Sequence, residues 1–338
     1  MKMLALPYHG QQHDDFTVTV LGCGTMGIAI LNGILTSLSE MQGPKPLQTP
    51  SSGTSTPADD LPPRLPSRFI ACVRSSESAK RVKAALWEHS SILKVVQNDN
   101  LAAVVQADVV IMSCKADMVN EILSQPGMAK ALHGKLLISI CAGITVEHVE
   151  IALHGAVSNK DPEEDGRCRI VRAMCNTAAL IRESMTVIGL SDPPLPYDTQ
   201  VLVTWIFRRI GDVVFLPSEN MDACTALCGS GPAYYALMLE AAVDGAVAMG
   251  LPRAAALRMA TQTMRGTTGL IQHGEHPALL REKVCTPGGC TIGGLLVLEE
   301  GGTRGVVSRA VREATVVASQ LGKGVQGVNG TRAVGLRQ

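Results

Sequence analysis

The sequence predicts two parts: an α/β domain built on a doubly wound, mainly parallel sheet, then an all-helical domain. Three observations carry this. A short β-branched run near the N-terminus leads straight into a glycine-rich turn and an apolar helix. Strand-like and helix-like segments then alternate as far as residue 217. From Ser218 onward the strand signal disappears and only helical periodicity remains.

The first strand is expected at 16–21. Gly22-Cys23-Gly24-Thr25-Met26-Gly27 follows at once, and Ile28, Ala29, Ile30, Leu31, Ile34 and Leu35 continue as a helix. Strand, G-x-G-x-x-G and helix in this order form a dinucleotide-binding fingerprint in its proper context, and the domain is expected to be Rossmann-like. Gly22 permits a tight turn, Gly24 lets backbone approach a pyrophosphate, and Gly27 lets the helix pack on the strand. Gly22, Gly24, Thr25, Met26 and Gly27 are therefore expected to bind cofactor; the alternative is a structural turn.

The segment 40–67 has seven prolines and no apolar period, and reads as a disordered insertion. A strand is expected at 68–73 and a helix at 76–88. Further strands are expected at 109–112, 136–140, 169–174, 185–188 and 213–215, with helices at 146–153 and 200–209. Ligands of such sheets sit at the carboxyl ends of the strands. Arg74, Ser75, Ser76, Lys115, Ala142, Gly143 and Asn176 all fall there and are expected cofactor residues.

Where NAD-binding domains place an acid for the ribose hydroxyls, this chain has Arg74-Ser75-Ser76. A cation and two hydroxyls suit a 2′-phosphate, so NADPH is favoured, with NADH possible. The alternative makes Arg74 a solvated charge and Ser75 a helix cap. Lys115 either lies near cofactor or substrate or pairs with a surface acid.

In the second part, helices are expected at 219–228, 232–249, 252–272, 277–284, 291–300 and 306–321, with Pro232, Pro252 and Pro277 in or near first turns. Their Ala- and Gly-rich faces suit a second subunit, although a monomeric bundle is the simpler reading. The run 282–294 holds Cys285-Thr286-Pro287-Gly288-Gly289-Cys290-Thr291 between two helices. Free N–H groups at such a helix start favour a carboxylate or phosphate, and the two threonines add hydroxyls. The alternative is an ordinary capped turn.

Composition narrows the class. The 338 residues are 46% hydrophobic and only 3% aromatic, enough for two packed domains. Thirty basic against thirty acidic residues give zero net charge, which argues against nucleic-acid and anionic-membrane partners. The ten cysteines are scattered without a C-x-x-C pair, the histidines show no metal spacing, and no metal is expected. The tails 1–15 and 323–338 are expected to be flexible, and the absence of a signal-peptide core in the first points to the cytoplasm.

The runs 221–234 (Met-Asp-Ala-Cys-Thr-Ala-Leu-Cys-Gly-Ser-Gly-Pro-Ala-Tyr), Gly250-Leu251-Pro252, His276-Pro277 and 284–291, together with 138–145 and the glycine loop, resemble the pyrroline-5-carboxylate reductase family, in its fungal form. The resemblance runs from residue 16 to 321. It implies the last step of proline biosynthesis: NAD(P)H-dependent hydride transfer to the C=N carbon of 1-pyrroline-5-carboxylate, giving proline. It also implies a helical domain that interlocks with a second subunit, as a homodimer or a ring of dimers.

On this resemblance, Val284, Thr286, Pro287, Gly288, Gly289, Cys290 and Thr291 bind the substrate. The turn receives its carboxylate, and Thr291 faces the ring nitrogen as the catalytic residue. Ser230 and Gly231 shape the opposite wall or only cap the next helix. The chain departs from the family's usual reading at Ala116, where a proline is common, at Cys175 and Ala178, and at Cys290. A reductase of a related cyclic imine acid and a non-catalytic cofactor-binding assembly protein stand as alternatives.

Overall fold

The computed structural model describes residues 15–42, 61–158, 160–323, 325, 328, 330 and 331. It divides into two compact units, Met1–Met221 and Asp222–Gln338. The first runs β1 (Thr17–Leu21), α1 (Thr25–Gln42), β2 (Arg68–Val73), α2 (Ser76–Ala85), β3 (Leu93–Gln97), α3 (Asn100–Val105), β4 (Val109–Met112), α4 (Val119–Leu123), α5 (Met128–Leu132), β5 (Leu136–Ser139), α6 (Val146–His154), α7 (Pro162–Asp165), β6 (Arg169–Met174), β7 (Ser184–Gly189), α8 (Tyr197–Arg208) and β8 (Gly211–Leu216).

The eight strands lie in the order β3-β2-β1-β4-β5-β6-β7-β8. Every neighbouring pair is parallel except β6 with β7. The chain leaves β1 toward one edge and returns at β4 on the other side, so the switch point falls between β1 and β4.

Strands β1, β4 and β5 are buried along their whole length, as a sheet covered on both faces requires. Alternate residues feed two cores. Val18, Val20, Ala71, Ile111 and Ile138 pack with Ile30, Leu31 and Ile34 of α1 and Trp205 and Phe207 of α8. Leu21, Ile70, Cys72, Val110 and Leu137 pack with α3 to α6 through Val104, Ile122, Leu132 and Val149. Thr19 is fully buried on this second face, and its hydroxyl donates to Ala103 O at 3.2 Å, which removes the penalty of burying it.

The structure corrects the expected 40–67 insertion at both ends. Helix α1 continues to Gln42. Pro62 and Pro66 are buried, Leu65 packs on the core, and Ser67 Oγ accepts the Phe16 N–H at 3.1 Å. The proline-rich composition hid Leu65, which packs on the core, and two buried prolines flanking it. Residues 43–60 lie outside the described residues, as do 1–14 and 332–338. Within the expected C-terminal tail, Thr331 donates its N–H and hydroxyl to the Glu313 carboxylate, both at 2.6 Å.

The second unit contains α9 (Met221–Cys224, whose first residue closes the first unit), a π-helical turn at Thr225–Gly229, α10 (Gly231–Ala248), α11 (Arg253–Gln272), α12 (Pro277–Val284), α13 (Cys290–Glu300) and α14 (Thr303–Gly322). Pro277 stands in the first turn of α12, with His276 Nδ1 accepting from Ala278 N. Pro252 is the N-cap of α11. The single helix expected at 219–228 is instead a short helix running into the π turn, where the Ser230 N–H reaches Thr225 O at 3.0 Å.

Candidate active site

In the first unit the glycine loop leaves β1 at Leu21. Gly22 has φ +73°, and a Cβ there would stand 2.6 Å from Cys114 Cα, so both conformation and space demand glycine. At Gly27 a Cβ would lie 2.9 Å from Ser113 Oγ and Val20 Cγ1, which is the close packing of helix on strand. At Gly24 a Cβ would meet nothing nearer than Gly22 O, at 3.8 Å. That glycine is not needed for internal packing; it leaves open space against the backbone. The first N–H groups of α1, from Thr25, Met26 and Gly27, have no acceptor within the helix and begin beside that space. Open cradle, free N–H groups and helix start fit a pyrophosphate.

Hydrogen bonds lace neighbouring loops to this one. The Cys23 N–H donates to Cys72 O at 2.8 Å, tying the loop to the end of β2. Ser113 Oγ donates to Gly22 O at 3.0 Å, tying it to the end of β4. Sequence reading did not single out Ser113; its signal was a hydroxyl directly after a fully apolar strand. Burial pushes the Cys23 and Cys72 thiols up to about 12, so both are packing residues.

The remaining cofactor candidates stand at the ends of β2, β4, β5 and β6. Arg74 is exposed, and its side chain makes no hydrogen bond or ion pair with a described residue. Ser75 caps α2, its hydroxyl accepting from Ser78 N at 3.1 Å. Ser76 is exposed in the first turn. Lys115 is exposed and has no acidic partner among the described residues. Ala142 is exposed beside Gly143, which is buried with φ +74°. Asn176 is committed locally: its Oδ1 accepts from Ala178 N, and its N–H donates to Ser184 Oγ, each at 3.0 Å.

In the second unit the predicted substrate segment forms a tight turn between α12 and α13. The Gly289 N–H donates to Thr286 O at 3.0 Å, with Pro287 and Gly288 at its corner. Gly288 has φ +68°, which fits the second corner of a type II turn. A Cβ on Gly289 would run into Thr286 Oγ1. Gly289 is the N-cap of α13 and offers no side chain, so the leading N–H groups of Cys290, Thr291 and Ile292 remain uncapped. The Thr291 hydroxyl, in the first turn, makes no hydrogen bond with a described residue. Val284 is exposed at the end of α12.

The arrangement presents uncapped N–H groups beside the Thr286 and Thr291 hydroxyls, neither of which makes a hydrogen bond with a described residue. Beside it, Ile292, Leu295, Leu296, Cys285, Arg281 and Glu299 line a groove of about 400 Å³. Ser230 precedes α10 without making a side-chain cap, and a Cβ on Gly231 would touch the Tyr235 ring at 3.5 Å. Among the described residues, no three His, Cys, Asp or Glu side chains stand together as a metal site. No described helix is long and apolar enough to cross a membrane.

Known proteins match both units. Residues 54–143 match the family described as NADP oxidoreductase coenzyme F420-dependent, and residues 218–321 the family described as pyrroline-5-carboxylate reductase dimerisation. A Plasmodium falciparum pyrroline carboxylate reductase, solved with NADP bound, shares the fold: TM-score 0.69, 23% identity, covering 91% of this chain and 99% of that one. The Neurospora crassa pyrroline-5-carboxylate reductase is 55% identical, covering 94% of this chain and 97% of its own. The Lophium arboricola pyrroline-5-carboxylate reductase is 60% identical, covering 95% and 98%. With a glycine loop between strand and helix in one unit, an uncapped Pro-Gly-Gly turn in the other, and this identity along nearly its whole length, the chain belongs to the pyrroline-5-carboxylate reductase family.

Proposed function

We propose that this protein reduces 1-pyrroline-5-carboxylate to L-proline with NADPH, closing proline biosynthesis. The observation that carries the reading is the Thr286–Thr291 turn: uncapped N–H groups at the start of α13 beside an unengaged threonine hydroxyl. A cyclic imine acid offers the complementary pair, a carboxylate and a ring nitrogen.

When bound at the glycine loop, NADPH supplies the hydride. The new C–H bond forms at the imine carbon, and the C=N π pair moves onto nitrogen. The chain's own residues bind and orient. The N–H groups of Cys290, Thr291 and Ile292 take the carboxylate, favoured also by the positive end of the helix dipole. Thr291 Oγ accepts the N–H of the protonated ring nitrogen and fixes which carbon is presented. A protonated imine is already electrophilic, so no strong acid is required; positioning supplies the rate. Ser230 and Gly231 shape the wall of the substrate site.

Gly22, Gly24 and Gly27, with the N–H groups of Thr25 and Met26, hold the pyrophosphate. Arg74 and Ser76 receive the 2′-phosphate, which favours NADPH over NADH. Ser75, as a cap, holds that turn in shape. Lys115, Ala142, Gly143 and Asn176 line the rest of the cofactor site. The working form is a homodimer, or a ring of dimers, formed through the 218–321 region in the cytoplasm; its ten thiols, all free, fit a reducing compartment.

Purified full-length protein mixed with NADPH and 1-pyrroline-5-carboxylate should lose nicotinamide absorbance and yield proline in equal amount. No oxidation with this substrate, but turnover of its six-membered homologue, would replace the substrate; no turnover of either would overturn the reading.

A further inference from the structure

We propose that Cys114 and Cys141 are an oxidisable dithiol at the mouth of the dinucleotide site, and that closing them to a disulfide weakens cofactor binding. Their Sγ atoms stand 4.0 Å apart. The pairing of the sheet explains why. In the parallel β4–β5 pair, Met112 faces Ser139. The pairing continues past the strands, with the Ile140 N–H donating to Met112 O at 3.0 Å. Two residues further along each chain, the same register sets Cys114 beside Cys141. Neighbouring strands run about 4.8 Å apart, within the span of Cα separations that a disulfide bridges.

The close Sγ–Sγ contact sets the pair apart, and four other cysteines differ from Cys114 in burial as well. Cys23, Cys72, Cys168 and Cys175 are buried thiols pushed up to about 12, chiefly by desolvation. Cys114 is only partly buried. The Cys141 thiol beside it holds its pKa below the ordinary cysteine value, outweighing desolvation. Cys141 is buried and pushed well up by the same contact; its Sγ also lies 3.2 Å from Cys114 O and 3.4 Å from Met112 O. Cys114 is thus the accessible nucleophile and Cys141 the resolving thiol.

The step balances with a hydroperoxide as oxidant. The Cys114 thiolate attacks one oxygen of hydrogen peroxide: an S–O bond forms, the O–O bond breaks and Cys114 becomes a sulfenic acid, while the other oxygen leaves as hydroxide and takes a proton to become water. The Cys141 sulfur then attacks the sulfenic sulfur. An S–S bond forms, and the hydroxyl leaves with the thiol proton as a second water.

Closure to the bond length of about 2.05 Å brings the two sulfurs roughly 2 Å closer, locks both side chains and removes the freedom of one loop end relative to the other. Cys114 cannot move alone. Its Cα and Cβ lie where a Cβ on Gly22 would collide, and Ser113, immediately before it, donates to Gly22 O. Lys115 follows Cys114, and Ala142 with Gly143 follow Cys141. Both ends of the bridge are therefore joined to residues assigned above to the cofactor, and the coupling half of this inference rests on that assignment.

The test uses the full-length protein, reduced and after hydrogen peroxide, with blocked thiols mapped by mass spectrometry and NADPH binding followed by its fluorescence. The expected result is a peptide pair linked through Cys114 and Cys141, an NADPH Kd raised about tenfold or more, and full reversal by dithiothreitol. Cys114→Ser and Cys141→Ala, each compared with its own untreated form, should show no peroxide-dependent change in Kd. Absence of the linked peptide, or a linked protein that binds NADPH like the reduced one, overturns the proposal. If the reduced protein does not bind NADPH, the cofactor reading fails instead, and the dithiol is decided by the linked peptide alone.

Discussion

Gly24→Ala and Gly27→Ala add the same methyl group three residues apart, and the structure assigns them opposite consequences. At Gly27 the methyl would lie 2.9 Å from Ser113 Oγ and Val20 Cγ1, and 3.2 Å from Cys23 Sγ. Comfortable carbon contacts begin near 3.5 Å, so the first two are short by roughly 0.6 Å. Val20 is fully buried in β1 and cannot give way. Ser113 Oγ is held at 3.0 Å from Gly22 O and 3.3 Å from Leu21 O, so swinging it aside loses those bonds. Overpacking of this kind costs about 1–3 kcal/mol. In a unit of this size each kcal/mol lowers Tm by about 2–4 °C, so a fall of roughly 2–12 °C is expected. At Gly24 the methyl meets nothing closer than 3.8 Å, and φ is not left-handed. Alanine there should leave Tm unchanged or raise it slightly, since a stiffer unfolded chain is worth about 0.4–1 kcal/mol. The same methyl fills the space proposed for the pyrophosphate, so NADPH Kd should rise about tenfold or more. Thermal unfolding and NADPH fluorescence titration read the two effects separately. Wild-type NADPH affinity in Gly24→Ala would refute the pyrophosphate placement; a Tm loss equal to that of Gly27→Ala would refute the packing argument.

Thr291→Ala should lower kcat by about 10–200-fold, the equivalent of one substrate hydrogen bond at roughly 1–3 kcal/mol. Tm should hold, because the hydroxyl has no hydrogen-bond partner among the described residues; unchanged steady-state kinetics would remove Thr291 from the site. Arg74→Ala should raise KM for NADPH more than for NADH, moving the ratio of efficiencies about tenfold, as a charged hydrogen bond of about 1.5–3 kcal/mol allows. An unmoved ratio would make Arg74 a surface charge. Leu65→Ala should destabilise the first unit by about 1–2 kcal/mol, below the roughly 2–5 kcal/mol of a fully buried leucine because Leu65 is only half-buried. An unaffected denaturation midpoint would show that the stretch from Pro62 to Pro66 can be trimmed with the rest of the insertion.

The glycine loop was legible because three signals coincide there: a short β-branched run, three glycines at fixed spacing, then an apolar helix. The Pro-Gly-Gly turn was legible because proline and a left-handed glycine prescribe one turn type. Strand β3 was not read from sequence. It is an edge strand whose Lys94 and Gln97 are exposed and whose other residues are only half-buried, so Leu93-Lys94-Val95-Val96-Gln97 carries no strong apolar run. The short helices α3, α4 and α5 were also missed, being too brief for a 3.6 period to register. The π turn at Thr225–Gly229 leaves no compositional mark: Gly229 reads as a helix end, whereas the chain makes one wide turn and continues. In the described ends of the 40–67 segment, proline was taken as a sign of disorder. Pro62 and Pro66 instead fix the path that delivers Leu65 to the core.

Helix α13 connects the proposed chemistry to the proposed assembly. None of its residues is buried, although Ile292, Leu296, Val297 and Leu298 are large and apolar. Leu296, Val297 and Leu298 are consecutive, so at about 100° per residue they point three ways around the helix. One neighbouring helix cannot cover all three, and a helix apolar on every side belongs in an interior. The same deficit extends through the unit: Met249 is 85% exposed and Leu237 66%. Apolar area on this scale suits the homodimer proposed above, and it coincides with the region matching the dimerisation family. The proposed carboxylate receptor is the first turn of this helix. Its N–H groups hold their direction only while α13 holds its place, so on the proposed reading subunit association does more than stabilise the protein: it fixes the direction of the hydrogen bonds that receive the substrate.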